Sequence, residues 1–370
     1  MKTIAIDCRF SGTPSGIGRY TRELAERLAS GKRGFRVALL VRSAEEPWLK
    51  ELRRCEIIEA DIPHYSLAEQ TRLPGVLRSA KADLLFSLHF NVPWACPVPF
   101  VATIHDLILH RYPNNAGLAK RLAYRLLMRR CVSRASALVA VSPFVYAEIA
   151  QTFGSAAGAK TTVIEEGVAP AFSPPPPEAV GKLLNAQGID GPYFLYVGNA
   201  KEHKNVQILI DAFASSGVDA RLLLLTGGPE AGALRPATGV AFLRGVPDAD
   251  LPALYAGARA CVTASLYEGF CLPVVEALAC GCPVIASSRA AIPGVLRHAT
   301  EGVALVEPTV DALAAAFRAP PSRPAASPPY SPGLEGSAPP QPRLSHVDGQ
   351  AGQLLIAGYP VEDLAPRAAF

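Results

Sequence analysis

No stretch of about 18 consecutive apolar residues occurs in this 370-residue chain, so no segment is expected to span a bilayer. No secretory leader is visible, and none is expected. Met1 and Lys2 lead straight into Thr3–Asp7, an apolar run that is short, already carries an acid and reads better as a strand. There are eight cysteines, but they form no paired C-x-x-C motif. Cys280 and Cys282 flank Gly281, a poor spacing for a structural zinc site, and nothing in the sequence calls for a metal or another cofactor. Scattered in apolar surroundings, these cysteines read as reduced thiols of a cytoplasmic protein. Charge is also scarce. Charged residues make up 18% of the chain and leave a net +4, with a pI near 8.6, which does not point to nucleic acid.

Apolar material is plentiful, at 49% of residues, and argues against overall disorder. The length exceeds what one core usually holds, so two domains are expected. Lys2–Asp7 reads as a buried strand, Phe10–Gly18 as a glycine-bearing loop and Arg19–Ala29 as a helix with Leu24, Ala25 and Leu28 on its apolar side. Val37–Val41, Leu84–Leu88, Phe100–Ile104 and Ala137–Val141 are further short apolar runs, separated by loops or helical stretches. Such alternation predicts a parallel sheet with helices on both faces. The unbroken run Pro174 to Pro177 then interrupts the pattern.

Beyond it the alternation restarts. Tyr193–Val197, Arg221–Thr226, Ala260–Ala264 and Pro283–Ala286 read as strands, and Val206–Ala214, Leu251–Ala258 and Leu272–Ala279 as helices. The expected organisation is α/β throughout: a first domain over 1–170, a Pro-rich linker over 171–190, a second domain over 191–318 and a tail over 319–370. Pro, Ala and Ser dominate 319–345, which reads as irregular or disordered; the apolar piece Gln353–Tyr359 follows with no obvious partner.

The strongest chemical signal is Tyr267-Glu-Gly-Phe-Cys-Leu-Pro-Val-Val-Glu-Ala277. A loop that opens a helix presents free N–H groups, and the helix dipole favours an anion there. A diphosphate fits the amides of Phe270, Cys271 and Leu272, with Glu276 accepting from ribose hydroxyls and Glu268 facing a sugar. A plain strand–loop–helix junction closed by an acid also fits the two glutamates. Upstream, Tyr196-Val-Gly-Asn-Ala-Lys-Glu-His-Lys-Asn205 carries cations after a strand, which reads either as an anion site or as a solvated basic loop. Ala102-Thr-Ile-His-Asp-Leu107 places a histidine and an aspartate after a buried strand, where open α/β sheets bind ligands, or where a satisfied surface pair would sit.

Taken together, Leu251–Tyr255, Tyr267–Phe270, Glu276–Gly281 and Pro283–Ser287 resemble the donor-binding signature of glycosyltransferase family 4, the group 1 glycosyltransferases. The resemblance runs over about residues 1–318. It implies a GT-B fold, two Rossmann-like doubly wound parallel-sheet domains facing a cleft. The implied reaction is retaining transfer of a hexose, mannose-like by weak preference, from a nucleotide diphosphate sugar to a glycan or lipid-linked acceptor, without a metal. By that resemblance Lys204 is the cation for the diphosphate, and Lys201 or His203 stands where many members carry arginine, with Asn199 beside them. His105 holds a sugar hydroxyl, Asp106 orients it or meets acceptor, and the loop Gly12–Gly18 offers amides at Gly16 and Gly18. That loop lacks the G-x-G-x-x-G spacing, since Thr21 stands in the third place, so no dinucleotide is expected. The implied mechanism is front-face displacement with no protein base or nucleophile assigned.

Two features depart from the family. Cys271 stands where a small residue or glycine is usual and would be strained at positive φ. After Phe317 the amphipathic helix that ends typical members has no counterpart, which reads as an aberrant tail that could leave the protein impaired. A non-catalytic sugar- or nucleotide-binding protein, a nucleotide-sugar epimerase of the same fold and, more remotely, a nicotinamide dehydrogenase are the competing readings. Finally, Arg121, Arg125 and Arg129 recur every four residues in Lys120–Arg134 and read either as a contact for anionic lipid at the inner face of a membrane or as a solvated helix face.

Overall fold

The computed structural model describes residues 1–13, 15–31, 34–112, 117–299 and 301–324, so the expectations for 325–370, including Gln353–Tyr359, lie outside the described residues. The described chain divides into two compact units, Met1–Glu165 and Glu166 onward.

The first unit is built on a seven-stranded sheet: β1 (Thr3–Asp7), β2 (Arg36–Val41), β3 (Glu56–Glu59), β4 (Leu84–Ser87), β5 (Phe100–Ile104), β6 (Ala137–Ala140) and β7 (Thr161–Val163). Every pair is parallel and the order is β3-β2-β1-β4-β5-β6-β7. The second unit carries six parallel strands: β8 (Tyr193–Val197), β9 (Arg221–Leu225), β10 (Val240–Leu243), β11 (Ala260–Thr263), β12 (Val284–Ser287) and β13 (Val303–Val306), in the order β10-β9-β8-β11-β12-β13. Parallel neighbours need long crossovers, and most of those crossovers contain helices. In both sheets the strand order reverses beside the first strand, at β1/β4 and at β8/β11. Loops leaving such a pair diverge to opposite faces and open a crevice at the carboxyl ends of the strands.

The first core gathers Ile4, Ile6, Leu28, Leu39, Phe86 and their neighbours. In the second, Phe194, Phe213 and Phe317 meet edge to face, with Phe317 fully buried 4.8 Å from the Phe194 ring. The helix Val310–Arg318 is capped by Thr309 and packs on the helix Val206–Ser216. The next residues, 319–324, form neither helix nor strand, yet they are pinned to the second unit. Arg323 donates to the Gly281 and Ala258 carbonyls at 3.0 and 2.7 Å.

The span 171–190 is not a bare linker. Pro177, in the first turn where its missing N–H costs nothing, opens the helix Pro177–Ala186, which packs on the helix Leu251–Gly257. Their contact is tight: a Cβ at Gly257 would lie 3.0 Å from Leu184 Cδ1 and 3.2 Å from Val180 Cγ1. The unit boundary falls earlier, between Glu165 and Glu166.

Candidate functional site

At the switch point of the second sheet, the chain leaves β8 through Gly198, at φ +153°, where a Cβ would meet the Tyr196 hydroxyl at 2.9 Å. That hydroxyl donates to the Asn199 carbonyl at 2.6 Å and closes the turn. A 3₁₀ turn, Glu202–Lys204, and a left-handed Asn205 then launch the helix Val206–Ser216. The loop after β11 runs alongside, with the Leu266 N–H donating to the His203 carbonyl at 2.7 Å.

This stitching brings Lys204 and Glu268 together, although they lie far apart in sequence. Lys204 Nζ donates to both carboxylate oxygens of Glu268, at 2.6 and 2.8 Å. The Ser265 hydroxyl donates to the same carboxylate at 2.7 Å and is itself 3.0 Å from Thr263 Oγ1. The Lys204 and Glu268 side chains are 19% and 10% exposed. A charge pair held this way, with a further hydroxyl donor, is much stronger than one at the open surface. Ser265 is a residue that sequence reasoning missed; a polar pair following a buried strand was the available signal.

The loop ends in the helix Leu272–Ala279. Cys271 precedes it in the left-handed region, φ 86° and ψ 65°, so the strain expected of a cysteine there is real and costs on the order of 1–2 kcal/mol. No side chain caps the helix; Pro273 has no N–H and the Val274 N–H donates to the Cys271 carbonyl at 3.2 Å, so it is the Leu272 N–H that has no side-chain cap. Phe270 and Cys271 are buried and Leu272 is half-buried. Glu276 lies deeper than a side chain projecting from the first turn. It is 1% exposed and accepts from the Tyr255 hydroxyl at 3.2 Å.

Asn199 and Lys201 are exposed, with Asn199 Oδ1 accepting the Lys201 N–H at 3.3 Å. His203 differs. Burial, then the adjacent Lys204 charge, pushes its pKa down to about 4, so it is neutral at neutral pH and contributes no cation. A histidine whose folded pKa is depressed favours the folded state above its unfolded pKa near 6.5, and that contribution is lost as the pH falls through 4. Chemical denaturation should therefore show stability falling between pH 6.5 and 4, with on the order of 3 kcal/mol from this group. His203→Gln should flatten part of that slope; an unchanged slope would show that His203 is not held neutral.

In the first unit, His105 follows β5, is half-buried and donates from Nε2 to the Leu88 carbonyl at 2.9 Å, with Tyr20 edge-on at 4.9 Å. Asp106 caps a turn, accepting the Ile108 N–H at 2.9 Å. Gly16 opens the helix Gly16–Ser30 and is exposed, but Gly18 is buried and its N–H donates to Ser15 Oγ at 3.3 Å. A Cβ at Gly18 would lie 2.1 Å from the Thr13 carbonyl oxygen. Gly18 is thus explained by loop packing rather than by an amide open to a ligand.

The same end of that sheet holds a charged network that no sequence motif announces. Arg9, just past β1 and fully buried, donates to both Asp7 oxygens at 2.8 and 2.7 Å and to Glu69 Oε1 at 2.6 Å. Asn91 donates a short hydrogen bond to the other Glu69 oxygen. His89 lies beside this network; burial, then the neighbouring His105 and His64, keeps it well below its usual pKa. The available signal was Asp7 and Arg9 themselves, charges at the end of a strand that is otherwise apolar.

Two family signatures match consecutive parts of the chain. The one described as Glycosyltransferase Family 4 covers residues 14–172, and the one described as glycosyl transferases group 1 covers residues 184–319. The chain belongs to the group 1 glycosyltransferases, family 4. Within the family it is 28% identical, over 337 residues, to the O-antigen chain mannosyltransferase B of Escherichia coli, covering 81% of this chain and 85% of that one. It is also 28% identical, over 238 residues, to a Mycolicibacterium smegmatis enzyme named GDP-mannose-dependent alpha-(1-6)-phosphatidylinositol monomannoside mannosyltransferase, covering 60% and 62% of the two chains. Among solved structures, the sucrose-phosphate synthase of Thermosynechococcus elongatus superposes with a TM-score of 0.69 at 23% identity, covering 86% of this chain and 89% of that one. These neighbours establish the GT-B fold.

Proposed function

We propose that this glycosyltransferase moves a mannose-like hexose, with retention of configuration, from a nucleotide diphosphate sugar to a glycan or lipid-linked acceptor. The observation that carries this reading is the convergence of Lys204 and Glu268 at the β8/β11 switch point, beside the uncapped helix at Leu272. Lys204 and the amides around Phe270–Leu272 take the diphosphate and stabilise the charge that grows on it as the sugar departs. Lys201 assists from the exposed side of its loop, and the reaction needs no protein-bound metal. Glu268, held by Ser265 and Lys204, positions the donor sugar. Glu276 accepts from the ribose and is oriented by Tyr255. In the first unit, His105 holds a sugar hydroxyl and Asp106 shapes the turn after it. The acceptor hydroxyl enters on the face the diphosphate leaves, and a departing phosphate oxygen takes its proton.

The names of the relatives support the class of donor: two are mannosyltransferases, one of them GDP-mannose-dependent. HepE of Anabaena, 20% identical with a TM-score of 0.67, was solved with UDP-glucose. A thermal-shift panel of UDP, GDP, ADP and dTDP, run with EDTA, tests the reading. One nucleotide, GDP by expectation, should raise Tm without metal, and the shift should vanish in Glu276→Gln and in Lys204→Met. If no nucleotide raises Tm, or if both variants keep the full shift, the donor site is misassigned. A shift that appears only after Mg²⁺ is restored would overturn the metal-free mechanism.

A further inference from the structure

Tyr65 lies in the loop between β3 and the helix Leu67–Ser79, at the carboxyl end of the first sheet, where His105 also emerges. It is 58% exposed and sits in the left-handed region, at φ +57°. An exposed tyrosine is ordinary. A bulky side chain at positive φ is not, and such a position persists only where its surroundings impose it.

The imposing group is Glu69. Its Oε2 accepts the Tyr65 N–H at 2.9 Å and a short hydrogen bond from the Asn91 side chain, while Arg9 holds the other oxygen. The Asn91 N–H in turn donates to His89 Nδ1 at 3.3 Å. A neutral imidazole that accepts at Nδ1 carries its proton at Nε2. His89 Nε2 lies 3.3 Å from the Tyr65 hydroxyl, so His89 is the donor in that contact and the phenol oxygen accepts. The phenol proton is left to point away from His89, and the Tyr65 side chain makes no other hydrogen bond among the described residues. One buried carboxylate thus fixes both ends of an exposed residue, its backbone directly and its hydroxyl through Asn91 and His89. The ring is fixed as well. It meets Phe10, His64 and His89 edge-on at 6.3, 6.5 and 5.9 Å, and Phe10 and His64 are themselves stacked at 3.6 Å.

The product of this arrangement is a rigid aromatic ring, more than half in water, with a directed O–H at its rim. A purely apolar partner would leave the O–H unused, and a small anion would leave the ring unused. A pyranose uses both, because its C–H face lies on an aromatic ring while the oxygens at its edge accept hydrogen bonds. The place also suits a sugar: His89, which orients the hydroxyl, is 6.4 Å from the His105 ring.

We infer that Tyr65 is a specificity-determining contact for the acceptor: its ring stacks on the C–H face of an acceptor pyranose and its hydroxyl donates to an oxygen of that sugar, with Glu69, Asn91 and His89 as positioning residues. The inference rests on the reading of the acceptor as a glycan. It does not rest on the donor site, since sugar binding to the first unit needs neither nucleotide nor turnover.

The test is saturation-transfer NMR of the intact protein with the methyl α-glycosides of mannose, glucose, galactose and N-acetylglucosamine. At least one should bind, with the strongest transfer to the C–H protons of one ring face. Tyr65→Ala should weaken that binding about tenfold, the effect of removing one aromatic anchor, and Tyr65→Phe about threefold, the effect of one neutral hydrogen bond. Tyr65→Gly should lose the sugar yet fold as stably as the parent, because glycine takes φ +57° without strain. His89→Met should weaken binding about threefold in the parent and no further in Tyr65→Phe, since both changes remove the same directed O–H. Binding of none of the four glycosides, or full binding by Tyr65→Ala, would overturn the proposal. A nucleotide-induced Tm shift that disappears in Tyr65→Ala would place the tyrosine on the donor and overturn it too, as would additive losses in the His89→Met/Tyr65→Phe pair. Failure of the nucleotide panel in the parent strikes the donor site and leaves the sugar measurement standing.

Discussion

Replacing Lys204 with methionine is expected to lower kcat at least a hundredfold while leaving the protein folded. Lys204 is the only partner that places a positive charge on Glu268 among its described contacts, at 2.6 and 2.8 Å, with the remaining donation coming from Ser265. Under the proposed reaction the same ammonium faces the departing diphosphate. Without it, a nearly buried carboxylate would stand where an anion must sit, so the leaving group would meet repulsion instead of support. Loss of one preorganised charge-stabilising donor typically costs 10²–10³ in kcat. Turnover of the donor selected by the thermal-shift panel gives the number. Lys204→Met/Glu268→Gln separates stability from catalysis: it should recover Tm, because the orphaned charge is gone, but not rate. If Lys204→Met stays within tenfold of the parent, the cation has been assigned to the wrong residue.

The second large effect concerns folding. Arg9→Met should destabilise the first unit by about 3–5 kcal/mol, the usual cost of removing one member of a buried charged set. Asp7 and Glu69 would be left facing each other at 4% and 0% side-chain exposure with no cation between them. The penalty should be pH-dependent. Burial already raises the pKa of Glu69, and loss of Arg9 removes the two contacts that lower it most. Glu69 would therefore take up a proton in the folded variant, and a group whose folded pKa is raised destabilises less as the pH falls. Urea denaturation should show a smaller deficit at pH 5 than at pH 8. A deficit below 1 kcal/mol at pH 8 would mean that the network adds little to stability.

The way the fold was legible has a simple cause. β1, β2, β4, β5 and β6 of the first sheet, and β8, β9, β11 and β12 of the second, all stand out as apolar runs, because interior strands of a parallel sheet are covered on both faces. The strands that do not stand out are β3, β7, β10 and β13, which are the four sheet edges. Their burial is partial: Glu56–Glu59 and Thr161–Val163 mix polar residues into the strand, whereas Val240–Leu243 and Val303–Val306 are short apolar runs that the sequence reading did not single out. Within the span read as a Pro-rich linker, Pro177 opens a helix, because a proline that breaks a helix interior also starts one well.

The residues proposed to hold the donor were singled out as a set, since Lys204, Glu268 and Glu276 lie in recognisable stretches. Their contacts were not. The Lys204–Glu268 pair, the Tyr255–Glu276 bond and the Asp7–Arg9–Glu69 network all join residues from separate elements, and only strand order brings those elements together. Gly18 shows the opposite limit. A glycine in a promising loop was explained by a carbonyl 2.1 Å from where its Cβ would be, which no local pattern reveals.

The reversal of strand order at β8 also bears on how the second unit folds. After β8 the chain first builds β9 and β10 on one side, and only then returns across β8 to lay β11 on the other, with Ala260 opposite Phe194. Pairing across so long an intervening stretch carries a large loop-closure cost, which makes it slow compared with local pairing. The two loops that hold Lys204 and Glu268 cannot meet until that return is complete. A nascent or refolding chain therefore acquires much of its secondary structure before it assembles the proposed donor site, and recovery of nucleotide binding should lag behind recovery of helical signal.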